Sequence, residues 1–315
     1  MINILFYLAS FVVIWFGAGL IINSVDKIAR RLKLSSFAMS FFLLGILTSV
    51  PETAISATAV AGRNPEIFVG TLLGGTVVIF LFIIPLLAIL GRGIRINHDL
   101  SNTHILLTLF VLITPALLII DQKVTNPEGF FMIFLYCVLF YVIQRKQGIF
   151  DRNNTKIMEI RTYSFFDLIK VGLGVGLVFV SSQYIVRQTT TFSQILHIPT
   201  YYISLILLSV GTNLPELSLA VRSVLSGRKD IAFGDYLGSA ASNTLLFGIF
   251  TLLNEGEVLT VNNFFVTFLF TLIGLILFYF FSKSQRFISI REGVILLGVY
   301  ALFVVYEISR ALPIN

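Results

Sequence analysis

Two short stretches carry the residues whose chemistry the rest of the chain must explain: Thr48-Ser49-Val50-Pro51-Glu52 and Thr212-Asn213-Leu214-Pro215-Glu216. Each places a carboxylate directly after a proline inside an apolar run, where a lone charge costs about 2.5–3.5 kcal/mol to insert into lipid. A cation held between the two carboxylates would offset that cost. Proline removes one amide donor and clashes with the carbonyl four residues back, so Pro51 disturbs a helix near Leu47 and Pro215 near Gly211. The carbonyls loosened there, with the Thr48 and Thr212 positions, complete an all-oxygen set around Glu52 and Glu216. Hard ligands of this kind suit calcium, which takes about 6–8 oxygens, or sodium with a subset of them. Soft metals would want Cys or His. Cys137 is the single cysteine, and His98, His104 and His197 fall in loops or at helix ends.

The elements that must hold these stretches follow from composition. Of 315 residues, 57% are hydrophobic and 12% charged, with 31 phenylalanines, and the mean hydropathy is +0.93. A soluble domain of this length cannot hide so much apolar surface, so the expected class is an all-α polytopic membrane protein in a lipid bilayer. With about 20 apolar residues per crossing, ten helices are expected, over 2–23, 36–61, 66–90, 102–120, 129–144, 165–186, 199–222, 230–253, 260–282 and 288–308. The N-terminal run has no basic lead-in and no small-residue cleavage pattern, which reads as a spanning helix, not a signal peptide.

Charge sets the orientation. Sixteen Lys and Arg fall in the odd-numbered connections and three (Arg63, Lys123, Arg187) in the even ones. The odd loops are therefore expected in the cytoplasm and both termini outside. The same placement in short loops argues against nucleic acid as the reason for the net charge of +6. The polar, basic stretch 145–164 reads as a linker between a first five-helix half, 1–144, and a second, 165–315. Five is odd, so homologous halves would enter the membrane in opposite directions, as an inverted repeat. An offset of 164 pairs Thr48 with Thr212, Pro51 with Pro215, Glu52 with Glu216, Gly70 with Gly234 and Gly74 with Gly238, without a gap.

The helix after each Pro-Glu differs between the halves. Asp235, Ser239 and Asn243 are spaced by four and share one face, which can turn toward Glu216 and Glu52. Their mates are Thr71, Gly75 and Ile79. The second half thus supplies a polar wall and the first a nearly apolar one. Asp235 fits a direct cation ligand and a supporting or interfacial residue equally well.

These stretches resemble the two alpha repeats of the sodium/calcium exchanger branch of the calcium/cation antiporter superfamily, prokaryotic type. The marks are GILTSVPE (Gly45 to Glu52) with GTLLGGTVVI (Gly70 to Ile79), and GTNLPE (Gly211 to Glu216) with GDYLGSAASN (Gly234 to Asn243). The resemblance implies a plasma-membrane antiporter of ten helices that works by alternating access, the first helix of each half sliding. It implies that Glu52 and Glu216 bind calcium or sodium with oxygens of Thr48 and Thr212 beside them, and Ser49 and Ser239 match sodium-site positions. Gly75 and Ile79 stand where the first repeat usually has Ser and Asn. Asn213 stands in place of a Ser, Asn243 occupies a position that is often Asp, and Asp235 replaces a usual Asn. These changes remove oxygen ligands from one flank, and with them the basis for assuming the family's usual coupling ratio.

The favoured function is sodium/calcium exchange, with calcium and sodium as transported ions and no cofactor. Two alternatives stand beside it: calcium or cation/proton exchange, in which Glu52 or Glu216 trades a cation for a proton, and a non-transporting membrane protein with a degraded site. A phosphate-binding loop of the kind a primary pump needs is missing from the sequence. The helices also hold no nucleophile and base pair for an intramembrane enzyme. A monomer is compatible with the sequence, which leaves the oligomeric state open.

Overall fold

A computed structural model describes residues 2–29, 45–95, 102–147, 165–226, 229–254, 257–260, 262–283 and 287–311. Helix α1 spans Ile2–Ala29. Helices α2 (Gly45–Thr48) and α3 (Val50–Ala61) are separated by one residue. Helix α4 (Pro65–Val78) runs through a π-helical turn, Ile79–Ile83, into α5 (Ile84–Leu90). Then come β1 (Ile94–Arg95), α6 (Asn102–Leu118), β2 (Lys123–Thr125) and α7 (Asn126–Gln147). Helix α8 (Phe165–Leu196) precedes α9 (Thr200–Ile203), a second π-helical turn at Ser204–Leu208, and α10 (Ser209–Thr212). The chain closes with α11 (Leu214–Ser226), α12 (Lys229–Leu253), β3 (Glu257–Leu259), α13 (Phe265–Lys283), β4 (Phe287–Ile288) and α14 (Ile290–Ala311).

Eight of these helical spans are long and apolar enough to cross a membrane, Pro65–Leu90 and Phe166–Leu196 among them. Each keeps its backbone polar groups within the helix, which lipid demands. Large apolar side chains face outward on α1 (Leu5, Phe16), α8 (Phe166, Val180) and α14 (Leu302, Val305), where lipid covers them. The molecule is thus an integral membrane protein of helices. Several run longer than the apolar pattern suggested: α1 reaches Ala29 and α8 reaches Leu196. The extra turns carry polar side chains, which a hydropathy window discards although the helix hydrogen bonds continue. Residues 30–44, with Arg30, Arg31, Lys33 and Ser40, lie outside the described residues, as does 148–164 of the expected linker and His98.

Two helices begin with the same device. Thr125 donates from its amide and hydroxyl to Glu128 at 2.7 and 2.8 Å at the head of α7. Ser289 does the same to Glu292 at 2.7 and 2.8 Å ahead of α14. Each satisfies an orphan amide and fixes where the helix starts. Two antiparallel ladders tie distant connections together. Ile94 pairs with Ile288 and Arg95 with Phe287; Val124 pairs with Val258 and Lys123 with Leu259.

The interior is built around α4 and α12. Phe68, Leu72 and Val77 of α4 and Tyr236, Leu237 and Phe247 of α12 are fully enclosed. Glycine allows the closest approaches. A Cβ on Gly74 would meet the Ser209 side chain at 2.7 Å, and one on Gly45 would lie 2.5 Å from the Gly238 carbonyl carbon. These contacts set the α4 backbone against the second break and α2 against α12. Helices α1 and α8 pack against each other through Gly17 and Gly174. The Tyr7 hydroxyl meets Thr189 at 2.8 Å.

Candidate cation site

The two Pro-Glu stretches bend in the same way. Ser49, between α2 and α3, has φ −79° and ψ 11°; Asn213, between α10 and α11, has φ −85° and ψ 16°. Ser49 N bonds Gly45 O and Asn213 N bonds Ser209 O, each at 3.3 Å. Thr53 N and Leu217 N bond the Ser49 and Asn213 carbonyls, each at 3.0 Å. Pro51 and Pro215 occupy the second position of α3 and α11, where a missing amide hydrogen leaves no intrahelical bond unmade. The glutamate that follows falls in the first turn, where the helix dipole favours a negative charge.

Both carboxylates turn inward. Glu52 is 1% exposed and Glu216 is 0% exposed, and they lie near enough to repel each other. Each has the threonine of the opposite stretch beside it, Thr212 by Glu52 and Thr48 by Glu216. Each also has one oxygen engaged by a donor. Glu52 Oε1 accepts from Asn213 Nδ2 at 3.2 Å, and Glu216 Oε1 accepts from Ser239 Oγ at 2.7 Å. Ser49 Oγ donates to Gly45 O at 2.8 Å and stands 3.4 Å from Ser239 Oγ.

What is left unpaired is more telling. Glu52 Oε2, Glu216 Oε2, Asn213 Oδ1 and both side-chain polar atoms of Asn243 are buried without a hydrogen-bond partner. Buried polar atoms in folded proteins are nearly always paired, so a cluster of orphans marks a place for a ligand. Among the described residues no group of three or more His, Cys, Asp and Glu could hold a metal ion. The unpaired oxygens are two carboxylate and two amide atoms, a set for a hard cation.

The structure brings together Thr48, Ser49, Glu52, Thr212, Asn213, Glu216, Ser239 and Asn243, all buried. Asp235 lies on α12, one turn before Ser239, and its side chain falls outside the described residues. On the opposing wall Gly75 faces both amides: a Cβ there would come within 2.8 Å of Asn243 Nδ2 and 3.3 Å of Asn213 Nδ2. Thr71 turns its hydroxyl back to Ile67 O at 2.7 Å, and Ile79 is enclosed in the apolar core. His104 is buried in the first turn of α6, and His197 ends α8 with φ +54°.

Sequence reasoning passed over a fully buried acid in the last helix. Glu307 on α14 is 0% exposed, accepts from Thr267 Oγ1 at 2.7 Å and pairs with Arg310 at 3.5 Å. The rule that picked out Glu52 and Glu216 applies to it equally, since it interrupts an apolar run. The difference is that Glu307 has its own counter-ion three residues on.

A family profile described as sodium/calcium exchanger protein matches residues 2–144 and 168–309, nearly the whole chain. The chain belongs to the sodium/calcium exchanger family. This exchanger is therefore an ion transporter of the membrane and of the cation-antiporter class. The sodium/calcium exchanger MaX1 of Methanosarcina acetivorans is 24% identical over 369 aligned positions, covering 96% of this chain and 98% of that protein. Inner membrane protein YrbG of Escherichia coli is 24% identical over 258, covering 77% and 79%. Among solved structures, the sodium-calcium exchanger NCX_Mj soaked with 100 mM Na+ and 10 mM Sr2+ superposes with a TM-score of 0.69 at 21% identity. That match covers 96% of this exchanger and 97% of that chain and shows a shared fold.

Proposed function

We propose that this exchanger moves calcium in one direction and sodium in the other, by alternating access at a site formed by Glu52 and Glu216. The observation that carries the reading is the set of four buried, unpaired oxygens: Glu52 Oε2, Glu216 Oε2, Asn213 Oδ1 and Asn243 Oδ1. Two negative charges without a counter-ion are costly in such an interior and must be offset by a cation or a proton; four free oxygens converging on one place favour the cation. Because the two loads compete for carboxylate oxygens of one site, occupancy by one excludes the other, and coupling follows without ATP. Thr48, Thr212, Ser49 and Ser239 supply hydroxyl oxygens beside them. A related protein bearing the name sodium/calcium exchanger points the same way.

The proposal includes ten crossings arranged as two inverted halves, 1–144 and 165–315, joined through 145–164, with both termini outside the plasma membrane. The offset of 164 supports it beyond the Pro-Glu stretches. It carries the Thr125–Glu128 helix start onto Ser289–Glu292. It also turns each ladder into the other: the Ile94–Ile288 pair becomes Val258–Val124, and Arg95–Phe287 becomes Leu259–Lys123. In the expected topology the first ladder joins two odd-numbered connections and the second two even-numbered ones. An operation that exchanges them exchanges the faces of the membrane.

Calcium-45 uptake into proteoliposomes under an imposed sodium gradient tests the function. Uptake that needs internal sodium and disappears in Glu52→Gln and Glu216→Gln is the expected result. Uptake driven equally well by a proton gradient without sodium replaces the reading with proton exchange. Wild-type vesicles with no calcium flux under either gradient would make the site a relic.

A further inference from the structure

The two carboxylates are engaged by donors of different kinds. Ser239 Oγ and Asn213 Nδ2 each reach the Oε1 of one glutamate. Their chemistry diverges once a cation approaches. A hydroxyl has one hydrogen and two lone pairs, so Ser239 can rotate its hydrogen away and offer oxygen instead. Ser49 Oγ, 3.4 Å away, adds a second oxygen to that corner.

The Asn213 amide has no such freedom. Its Nδ2 donates both to Glu52 Oε1 at 3.2 Å and to Ser209 O at 2.8 Å. Two acceptors on one nitrogen fix the amide orientation, since a flip would set Oδ1 against a carboxylate oxygen and a carbonyl oxygen at once. The α4 residue at this corner brings no side-chain oxygen to compensate. Gly75 faces this corner where the 164 offset sets it opposite Ser239, and a Cβ there would crowd both Asn213 and Asn243. Glycine at 75 makes room for the amides.

We infer that Asn213 is a specificity-determining plug: its amide closes the Glu52 corner to monovalent cations, so this exchanger loads sodium beside Glu216 but not beside Glu52. The inference rests on the cation-exchange reading above. The Asn213 Oδ1, turned away from the plugged corner, stays available to a divalent ion at the centre. Calcium binding is therefore preserved while the number of sodium ions that must displace it falls. An amide nitrogen does not coordinate sodium, and its hydrogens repel one, so plugging is a matter of sign as well as of space.

The test is sodium competition against calcium-45 bound to the purified full-length protein in detergent, comparing wild type with Asn213→Ser and Asn213→Asp. Serine replaces the plug by a rotatable hydroxyl, and aspartate replaces it by a group of the same size with no hydrogen to donate. Both are expected to raise the Hill coefficient for sodium by roughly one, because cooperativity is bounded by the number of sites. Asn213→Ala, which removes the plug without supplying oxygen, is expected to change affinity and leave the Hill coefficient where it was. A purely structural role for Asn213 would shift affinities in all three variants without altering cooperativity. An unchanged Hill coefficient in both the serine and aspartate variants overturns the inference while leaving exchange intact. Wild-type protein that binds no calcium overturns the exchange reading and takes the plug with it.

Discussion

The two bends of this protein share a backbone and differ in their walls. At Ser49 and Asn213 the dihedral angles agree within a few degrees, and the flanking hydrogen bonds have the same lengths. Yet the α12 face opposite the bends presents Ser239 and Asn243, while the α4 face presents Gly75 and the turn after α4 buries Ile79 in the apolar core. Proline and the helix start after it fix the bend, so its shape survives changes in what faces it. The wall is under no such constraint. A single exchange of Ser for Gly or Asn for Ile alters which oxygens reach the centre without moving the carboxylates.

The strongest way to break this comparison is to remove either carboxylate charge. Glu52→Gln and Glu216→Gln are each expected to weaken equilibrium calcium-45 binding by about 100-fold or more, since losing one member of a buried charge set costs roughly 3–5 kcal/mol. If only one variant lost binding, the bends would be alike in shape but not in duty. Next comes the polar wall. Ser239→Ala removes the donor to Glu216 and should weaken sodium competition by about 10-fold, the scale of losing a residue that orients a ligand.

Filling the apolar wall should do less. Gly75→Ala pushes against the Asn243 amide and is expected to cost about 1 kcal/mol, a several-fold loss of calcium affinity. Gly45→Ala acts on the fold instead of the wall. Its Cβ would meet backbone at Gly238, and a melting curve in detergent should show about 1–3 kcal/mol of lost stability. Glu307→Gln should leave the comparison of the two walls untouched. The Arg310 attraction goes but an acceptor for Thr267 remains, so a loss of about 1 kcal/mol in the same melting experiment is expected, with sodium-driven calcium uptake unchanged. Loss of uptake there would mean that a paired acid serves the transport path too.

Much of this arrangement was legible from residue types. A charge after proline in an apolar run has few physical justifications, and the 164 offset repeated it with Thr, Pro and Gly in register. Helix existence followed from hydropathy, because lipid leaves the backbone no other choice. The ends did not: α8 continues ten residues past the expected 186, where Thr190 and Thr191 return their hydroxyls to carbonyls one turn back and Thr189 meets Tyr7 of α1. The engagement of Asn213 was also hidden. As a residue type it offers oxygen and nitrogen equally, and only the Ser209 carbonyl and Glu52 beside it decide which atom faces the acid. Glu307 was missed although the same rule covered it, and its neighbour Arg310 explains why it makes no comparable demand. The side chain of Asp235 stays an expectation.

The lengths of α1 and α8 have a consequence of their own. At 28 and 32 residues they measure about 42 and 48 Å, while the hydrocarbon layer is only about 30 Å thick. Rods of that length overrun the hydrocarbon, either by projecting their end turns into the headgroups and water or by leaning, and close glycine contacts make the two do so together. The share taken up by leaning follows the thickness of the host membrane, so exchange rates measured in short-chain and long-chain lipids are expected to differ even when the ions, gradients and protein are identical.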